Sequence, residues 1–190
     1  MNMMRIGEPV KREEDLRLLR GRGRYADDVN AYRQAHAHVL RSPHAHAEIL
    51  GMDASAARNS PGVLAVLTGA ELAERGLGTL VPASTGKRAD GSPGYASLQP
   101  LLAQGRVRFV GEAVALIVAE TINQAKDAAE LIIVEYDPLP AVITVDDALA
   151  PGAPAIFDDN PGNEGFTQER GDAAAVDAAF ATAAHMVSHR

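Results

Sequence analysis

The strongest constraint on the fold is a strand, a helix and a second strand that follow one another within residues 106–140. The segment VRFVGEAVALIVAE is apolar on both faces, which is typical of a central strand covered on both sides. Thr121 and Gln124 have the spacing of a capping box, and the helix that they start carries one apolar face: Ile122, Ala125, Ala129 and Ile132. The run LIIVEY predicts the next strand, which DPLP stops. This order indicates an α/β or α+β unit.

The other predicted elements are short. Three further strands are predicted by QAHAHVLR, AHAEILGM and VLAVLTG, the first two being separated at Ser42-Pro43. Short helices are predicted in EEDLRLLR, DASAARN and GAELAE, each followed by glycine or proline. A longer helix is predicted from about Asp172, followed by the start of a strand in AAHMVSHR. Residues 79–99 lack periodicity and are predicted to form a surface loop.

Composition removes several classes of function. The 190 residues include no cysteine, which excludes disulfides, thiolate zinc sites, a cysteine nucleophile and any iron–sulfur cluster ligated by this chain. The formal charge of −7 argues against a nucleic-acid partner. No apolar run is long enough for a membrane span, and the first residues lack the apolar region of a signal peptide. A cytoplasmic protein is therefore expected.

A metal site is the sharpest question that the sequence raises. Two His-x-His pairs lie within HAHVLRSPHAHAE, residues 36–48: His36 with His38, and His44 with His46. Imidazoles with a carboxylate can hold zinc or iron, and a turn at Ser42-Pro43 would bring together two pairs that each share a strand face. The neighbours, however, are alanines, and Glu48 is the nearest acid, so no local side chain orients the imidazoles. Structural histidines are the favoured interpretation, and a metal-dependent enzyme is the alternative.

Three other motifs fail on context or spacing. GRGRYA at 21–26 matches a dinucleotide-binding pattern, but a charged helical turn precedes it where an apolar strand is required. DDNPGNEG at 158–165 lacks the ligand spacing of a calcium loop. A basic cluster is expected to be solvated or to pair with acids of a neighbouring domain rather than to cradle a phosphate: Arg17, Arg20, Arg22 and Arg24. The residues themselves predict no active site.

Five stretches, in order and at their spacing, resemble one family. They are EDLRLLRGRGRYADDV, VLRSPHAHAEI, PGVLAVLTGAEL, RVRFVGEAVALIVAET and QAKDAAELIIVEYDPLPAV. Together they resemble the N-terminal part of the large, molybdenum-binding subunit of the xanthine dehydrogenase, aldehyde oxidase and carbon monoxide dehydrogenase family, called the a/b hammerhead domain. The likeness runs from about Ile6 to Asp147 and continues less specifically to the end of the chain. The family gives its SPHAHAE segment no metal-binding role, so the resemblance also favours structural histidines.

The resemblance implies an α+β fold in three parts: an N-terminal extension at 1–24, the hammerhead domain at 25–147, and the incomplete start of a molybdopterin-binding region at 148–190. It implies molybdenum–molybdopterin, expected in the cytosine dinucleotide form, bound outside this segment of the complete enzyme. FAD and 2Fe–2S clusters are expected on partner subunits. Since the family's pterin loops and catalytic glutamate lie beyond this segment, the resemblance assigns no catalytic, cofactor-binding or metal-ligating residue here.

The implied role is structural, within an oxidoreductase that hydroxylates a substrate C–H bond or oxidises carbon monoxide. Expected partners are the rest of the molybdenum-binding subunit and the iron–sulfur and flavin subunits, with no nucleic acid and no membrane. Arg190 falls near where the next family segment would begin, so the chain is expected to be a fragment, a truncated gene product or one half of a split subunit. A stand-alone, non-catalytic binding or assembly module is the alternative.

Overall fold

The computed structural model describes Gly7, Pro9, residues 11–83 and residues 85–189. Ile6, where the family likeness was expected to start, Arg190 and part of the expected extension lie outside these residues. The strands of the described part are β1 (His36–Arg41), β2 (Ala47–Asp53), β3 (Val63–Thr68), β4 (Thr79–Leu80), β5 (Gln99–Pro100), β6 (Arg106–Val107), β7 (Ala113–Ala119) and β8 (Ile133–Pro138). Its α-helices are α1 (Asp15–Leu18), α2 (Ser55–Arg58), α3 (Gly69–Glu74), α4 (Ile122–Glu130), α5 (Val145–Leu149) and α6 (Ala173–Ala181), with a 3₁₀ turn at Ala26–Asp28.

The described strands form two three-stranded sheets and one two-stranded sheet, and every pairing is antiparallel. The first sheet has the order β1-β7-β3, the second β6-β2-β8, and the third pairs β4 with β5. Because β7 and β8 belong to different sheets, α4 connects two sheets and is not a crossover within one parallel sheet. The fold is therefore α+β, one of the two classes that the sequence left open.

The central position predicted for β7 is confirmed, since this strand pairs with β1 on one side and β3 on the other. Its two faces are covered unequally. Ala115, Ile117 and Ala119 are completely buried in the main core, together with the alanines of α4. On the opposite face Val114 is completely buried in a smaller core, whereas the other side chains of that face are only partly covered. One side of the first sheet therefore carries most of the burial.

Helix α4 packs on the first sheet through a face of alanines. Thr121 caps the helix: its hydroxyl accepts a hydrogen bond from the Gln124 backbone N–H at 3.3 Å. The predicted capping box is incomplete, because the Gln124 side-chain oxygen accepts the Thr121 hydroxyl at 2.8 Å instead of the Thr121 backbone N–H. The face that contacts the core consists of Ala125, Ala128 and Ala129, whose small side chains let the helix approach the sheet closely. The prediction that Ile122 belongs to this face was wrong, because that side chain begins the helix and is 39% exposed.

Two strand predictions were wrong. The strand expected in LIIVEY begins at Ile133, because Leu131 ends α4 and Ile132 is buried in the core before the strand starts, and it runs on to Pro138 instead of stopping before DPLP. No strand forms in residues 182–189, and helix α6 before them has no buried side chain. A strand requires a partner for its backbone groups, and none of the described strands pairs with this segment.

The segment predicted as a surface loop, residues 79–99, is mostly irregular, but its two ends pair as β4 and β5 and Lys87 bridges to Pro93. The strand predicted in VLAVLTG forms as β3, which lies at the edge of its sheet and leaves Leu64 58% exposed, although an uninterrupted apolar run is typical of a buried strand. Within the described part of the chain, no helix combines the length and the apolar character needed to cross a bilayer.

Candidate interaction site

The four clustered histidines do not converge. Strands β1 and β2 belong to different sheets, so the Ser42-Pro43 turn joins two layers and forms no hairpin. His36 and His38 are half-buried on β1, whereas His44 and His46 precede β2, so the expectation that this second pair shares a strand face was wrong. Across the described residues, no three histidine, aspartate or glutamate side chains come together in a group able to hold a metal ion. Glu48, the nearest acid, accepts a hydrogen bond from Arg106 at 3.1 Å.

His46 is buried, with 5% of its surface exposed, and it fastens the chain that follows β8. Its ring nitrogen Nδ1 lies 2.7 Å from the carbonyl oxygen of Pro140, and its own carbonyl accepts the Leu139 N–H at 2.9 Å. Since Pro140 offers only an acceptor, Nδ1 carries the hydrogen and donates. Nε2 is buried without a hydrogen-bond partner among the described residues. His46 therefore acts as a two-point clamp, a structural role that its sequence neighbourhood did not reveal.

The basic cluster begins at Arg17 in α1 and continues up to the 3₁₀ turn. Arg17, Arg20 and Arg22 line a surface depression of about 330 Å³ together with Leu16 and Glu13. No carboxylate of the described residues forms an ion pair with these arginines. The elements around GRGRYA are a four-residue helix and a 3₁₀ turn, so the strand and helix that a dinucleotide site requires are missing from this stretch. Pairing of the cluster with a neighbouring domain stays a prediction.

The DDNPGNEG segment is part of a strap, residues 155–167. The strap fastens the irregular segment at residues 79–99, here called the long loop, to the second sheet. Asp158 forms an ion pair with Arg106 at 2.9 Å. Asp159 accepts a hydrogen bond from the Tyr95 hydroxyl at 2.6 Å. Asn160, which is buried, accepts one from Arg88 at 2.9 Å. These side-chain oxygens are therefore used for packing within the chain.

Backbone contacts complete the strap. The Tyr95 N–H donates to the Gly165 carbonyl at 2.7 Å, and the Thr167 N–H donates to the Lys87 carbonyl at 2.9 Å. Gly94 lies where these segments meet, and a Cβ at this position would collide with the carbonyl oxygens of Thr85 and Gly165. Only glycine allows so close an approach of the two backbones.

Tyr95 is the group whose ionisation the strap perturbs most clearly. Burial, followed by the hydrogen bond to Asp159 and the charge of that carboxylate, raises the pKa of Tyr95 to about 12. Its ring also packs against Phe157, with centroids 5.3 Å apart. The neutral phenol is thus fixed at the centre of the contact between loop and strap.

A second cleft, of about 530 Å³, lies between β2, α2 and α3. Its charged groups are already engaged, because Arg58 and Glu71 form an ion pair at 2.9 Å on its wall. Burial opposes ionisation of Glu71, but hydrogen bonds from Thr68 and Arg58 outweigh it and lower the pKa of that carboxyl. Glu71 also caps α3 by accepting the Thr68 N–H at 2.9 Å. The cleft holds structural charges and no group poised for acid–base chemistry.

Comparisons with known proteins show which proteins this chain resembles. The family profile described as "Aldehyde oxidase and xanthine dehydrogenase, a/b hammerhead domain" matches residues 20–140, more than half of the chain. The nicotine 6-hydroxylase large subunit of Paenarthrobacter nicotinovorans is 41% identical over 183 residues, covering 96% of this chain and 21% of that protein. The carbon monoxide dehydrogenase large chain of Afipia carboxidovorans is 36% identical, covering 94% of this chain and 22% of that protein. The chain thus spans about a fifth of the length of these relatives.

Solved structures agree with the sequence relatives. The structure of quinoline 2-oxidoreductase from Pseudomonas putida 86 has a TM-score of 0.63 at 46% identity and covers 76% of this chain and 18% of that one. Reconstituted CO dehydrogenase from Oligotropha carboxidovorans has a TM-score of 0.69 at 34% identity, over 94% of this chain and 22% of that one. The likeness therefore extends beyond the range of the family profile, since it covers 94% of this chain.

The two kinds of histidine differ in what their removal should cost. Replacing His46 with alanine should lower the free energy of unfolding by about 1–3 kcal/mol, because the protein loses both a buried side chain and its hydrogen bond to the Pro140 carbonyl. Replacing His36 and His38 together should lower it by less than about 1 kcal/mol, since both are only half-buried. Urea denaturation measures both changes. Metal analysis is the control: stoichiometric zinc or iron that the double variant loses would overturn the structural interpretation.

Tyr95 should titrate late. Because its folded-state pKa is about 12, against an ordinary value of 10.0, the stability that this group contributes is present below pH 10 and is lost as the pH rises from 10 towards 12. The latest phenolate step in an ultraviolet titration should therefore disappear in Tyr95→Phe and move to lower pH in Asp159→Asn.

Tyr32→Phe is the control for this titration, since the Tyr32 side chain is 95% exposed and should leave the latest step in place. A phenolate step near pH 12 that persists in Tyr95→Phe would contradict the assignment of that step to Tyr95.

Proposed function

The chain belongs to the aldehyde oxidase and xanthine dehydrogenase family through its a/b hammerhead domain, and on this basis we propose that it is the N-terminal portion of the large subunit of a molybdenum hydroxylase. The supporting observation is a fold likeness to CO dehydrogenase that covers 94% of this chain but only 22% of that one. The complete enzyme hydroxylates a substrate C–H bond or oxidises carbon monoxide. The part described here supplies architecture to that enzyme.

We divide the chain into an extension at 1–24, the hammerhead domain at 25–147, and the start of the following molybdopterin-binding region at 148–190. The strap belongs to the last part by this division, yet it contacts the long loop and β6 through Tyr95, Arg88 and Arg106. These contacts support a role for residues 155–167 in fixing how the following region leaves the hammerhead domain.

The donor set of the described residues does not fit a molybdenum or iron–sulfur site. The chain has no cysteine, and its described histidines and carboxylates form no metal-binding group of three. The proposal therefore places the molybdenum–molybdopterin, in its cytosine dinucleotide form, on the rest of the large subunit, and FAD and 2Fe–2S on partner subunits. It assigns no catalytic, cofactor-binding or metal-ligating residue to this chain, and it places the enzyme in the cytoplasm.

The packed core allows this segment to have a structural role in the larger subunit. Strands β1, β7 and β3 with helix α4 form one buried core, and β2 with its neighbours forms a second that shares Leu40 and Met52 with the first. The two sheets are thereby joined into one body. The alternative function, a stand-alone binding or assembly module, would require the same two joined sheets. The two functions therefore differ in the partner of the chain and not in its fold.

The proposal predicts that the purified 190-residue chain neither binds the molybdenum cofactor nor hydroxylates any substrate, because the pterin-contacting loops and the catalytic glutamate of the family lie beyond this segment. Molybdenum content after expression in molybdate-fed cells and an electron-acceptor assay with N-heterocycles, aldehydes and carbon monoxide measure both. A complete large-subunit relative expressed in parallel is the positive control. Activity from this chain alone would contradict the assignment of catalysis to the missing sequence.

A further inference from the structure

A small cleft lies between the strap, strand β5 and the turn that joins β6 to β7. Its volume is about 160 Å³, and its apolar walls include Leu98, Phe109 and Phe157. Leu98 is 52% exposed and Phe109 is 47% exposed, so both side chains offer apolar surface at the rim. Arg108 lines the same cleft, and so do Ser97, Gln99 and the buried Glu112, whose carboxylate is turned to the backbone of the turn. An arginine beside exposed apolar side chains is a common feature of the energetic centres of protein interfaces.

Arg108 is held in place but is not paired with an acid. Its Nε–H donates to the Ile156 carbonyl at 3.2 Å, and its guanidinium carbon lies 4.8 Å from the centre of the Phe157 ring. Both contacts orient the planar group. No ion pair of Arg108 occurs among the described residues, and its terminal nitrogens are not among the buried atoms that lack partners. Those nitrogens therefore remain accessible to an acceptor from outside.

Arg106, two residues earlier on β6, shows what a fully engaged arginine looks like in the same place. Its guanidinium pairs with Glu48 at 3.1 Å and with Asp158 at 2.9 Å. The one buried carboxylate beside Arg108, that of Glu112, accepts the backbone N–H of Arg108. It caps the turn and does not pair with the guanidinium. Arg106 therefore has two carboxylate partners, one of them from the strap. The terminal nitrogens of Arg108 have no hydrogen-bond partner among the described residues.

The size of the cleft limits what it can take. Pockets for drug-sized ligands have volumes of roughly 300–1,000 Å³. A cleft of about 160 Å³ has room for one side chain. An orienting stack on Phe157 and a pair of parallel N–H donors suit a planar carboxylate, which arginine binds through two hydrogen bonds. The apolar rim suits hydrophobic neighbours of that carboxylate.

We propose that this cleft receives a glutamate or aspartate side chain, flanked by apolar residues, from the polypeptide that packs against this chain, with Arg108 as the residue that recognises it. The charge complementarity of a free guanidinium with a carboxylate carries the proposal. The identity of the partner as the rest of the large subunit rests on the proposed function. The recognition of a carboxylate by Arg108 does not depend on the proposed function.

The test uses the full 190-residue chain and two peptide probes, acetyl-Leu-Glu-Phe-amide and acetyl-Leu-Gln-Phe-amide. Nuclear magnetic resonance follows the Arg108 Nε–H and the Phe157 ring as each peptide is added. The glutamate peptide should shift both signals in a saturable way, and the glutamine peptide should bind at least tenfold more weakly, because it cannot accept two charge-assisted hydrogen bonds. Equal binding of the two peptides, or no binding of either, would overturn the proposal.

Variants locate the effect. Arg108→Met should abolish the preference for glutamate, whereas Arg58→Met, a control that loses the ion pair with Glu71 in the separate 530 Å³ cleft, should keep it. Loss of the preference in Arg58→Met but not in Arg108→Met would show that Arg108 does not recognise the carboxylate and would overturn the proposal. The comparison of the two peptides on the unaltered chain needs no variant, so it stands even where a variant fails to fold.

Sodium acetate separates a polypeptide partner from a free anion. If acetate binds Arg108 as tightly as the glutamate peptide, the site takes a small carboxylate and the apolar rim has no function, which overturns the choice of a polypeptide. These outcomes are independent of the proposed function, because they involve neither molybdenum nor hydroxylase activity.

Discussion

The burial of strand β7 is the constraint on which the rest of the structure depends. Its backbone pairs on both sides, and Ala115, Ile117 and Ala119 contact helix α4 within the main core while Val114 reaches the second core. A strand that supplies both cores cannot slip by one residue, since a slip would exchange its two faces. The register of β1 and β3, and through β1 the position of the Ser42–His46 turn, follows from it.

The local part of this arrangement could be predicted from the sequence, because it depends on neighbouring residues. The apolar run of β7 and the Thr121 cap are local, and both formed as expected. The division of the strands into two sheets could not be predicted, because it depends on pairings such as that of Met52 with Val134, far apart in the chain. Ile122 was wrongly predicted to face the core, because it is the first residue of helix α4 and its side chain is 39% exposed.

The long-range contacts of the strap and the surface around Arg108 were the least predictable. DDNPGNEG has the composition of a loop, and nothing in its spacing tells that Asp158, Asp159 and Asn160 reach back 52, 64 and 72 residues to Arg106, Tyr95 and Arg88. The sequence drew attention to the histidines and to the Arg17–Arg24 cluster because these are conspicuous. Arg108 drew none, since only the folded chain shows that no described carboxylate forms an ion pair with it, whereas Arg106 has two.

Hydrogen exchange on a monomeric sample tests the central role of β7 most directly. The account predicts that the amides of residues 113–119, together with those of the α4 residues that cover them, exchange slowest in the chain, near the rate of global unfolding. The strap should show intermediate protection through its bonds to Tyr95 and Lys87, and residues 173–189 should exchange fast, since α6 buries no side chain. Exchange of residues 113–119 as fast as that of α6 would contradict the account.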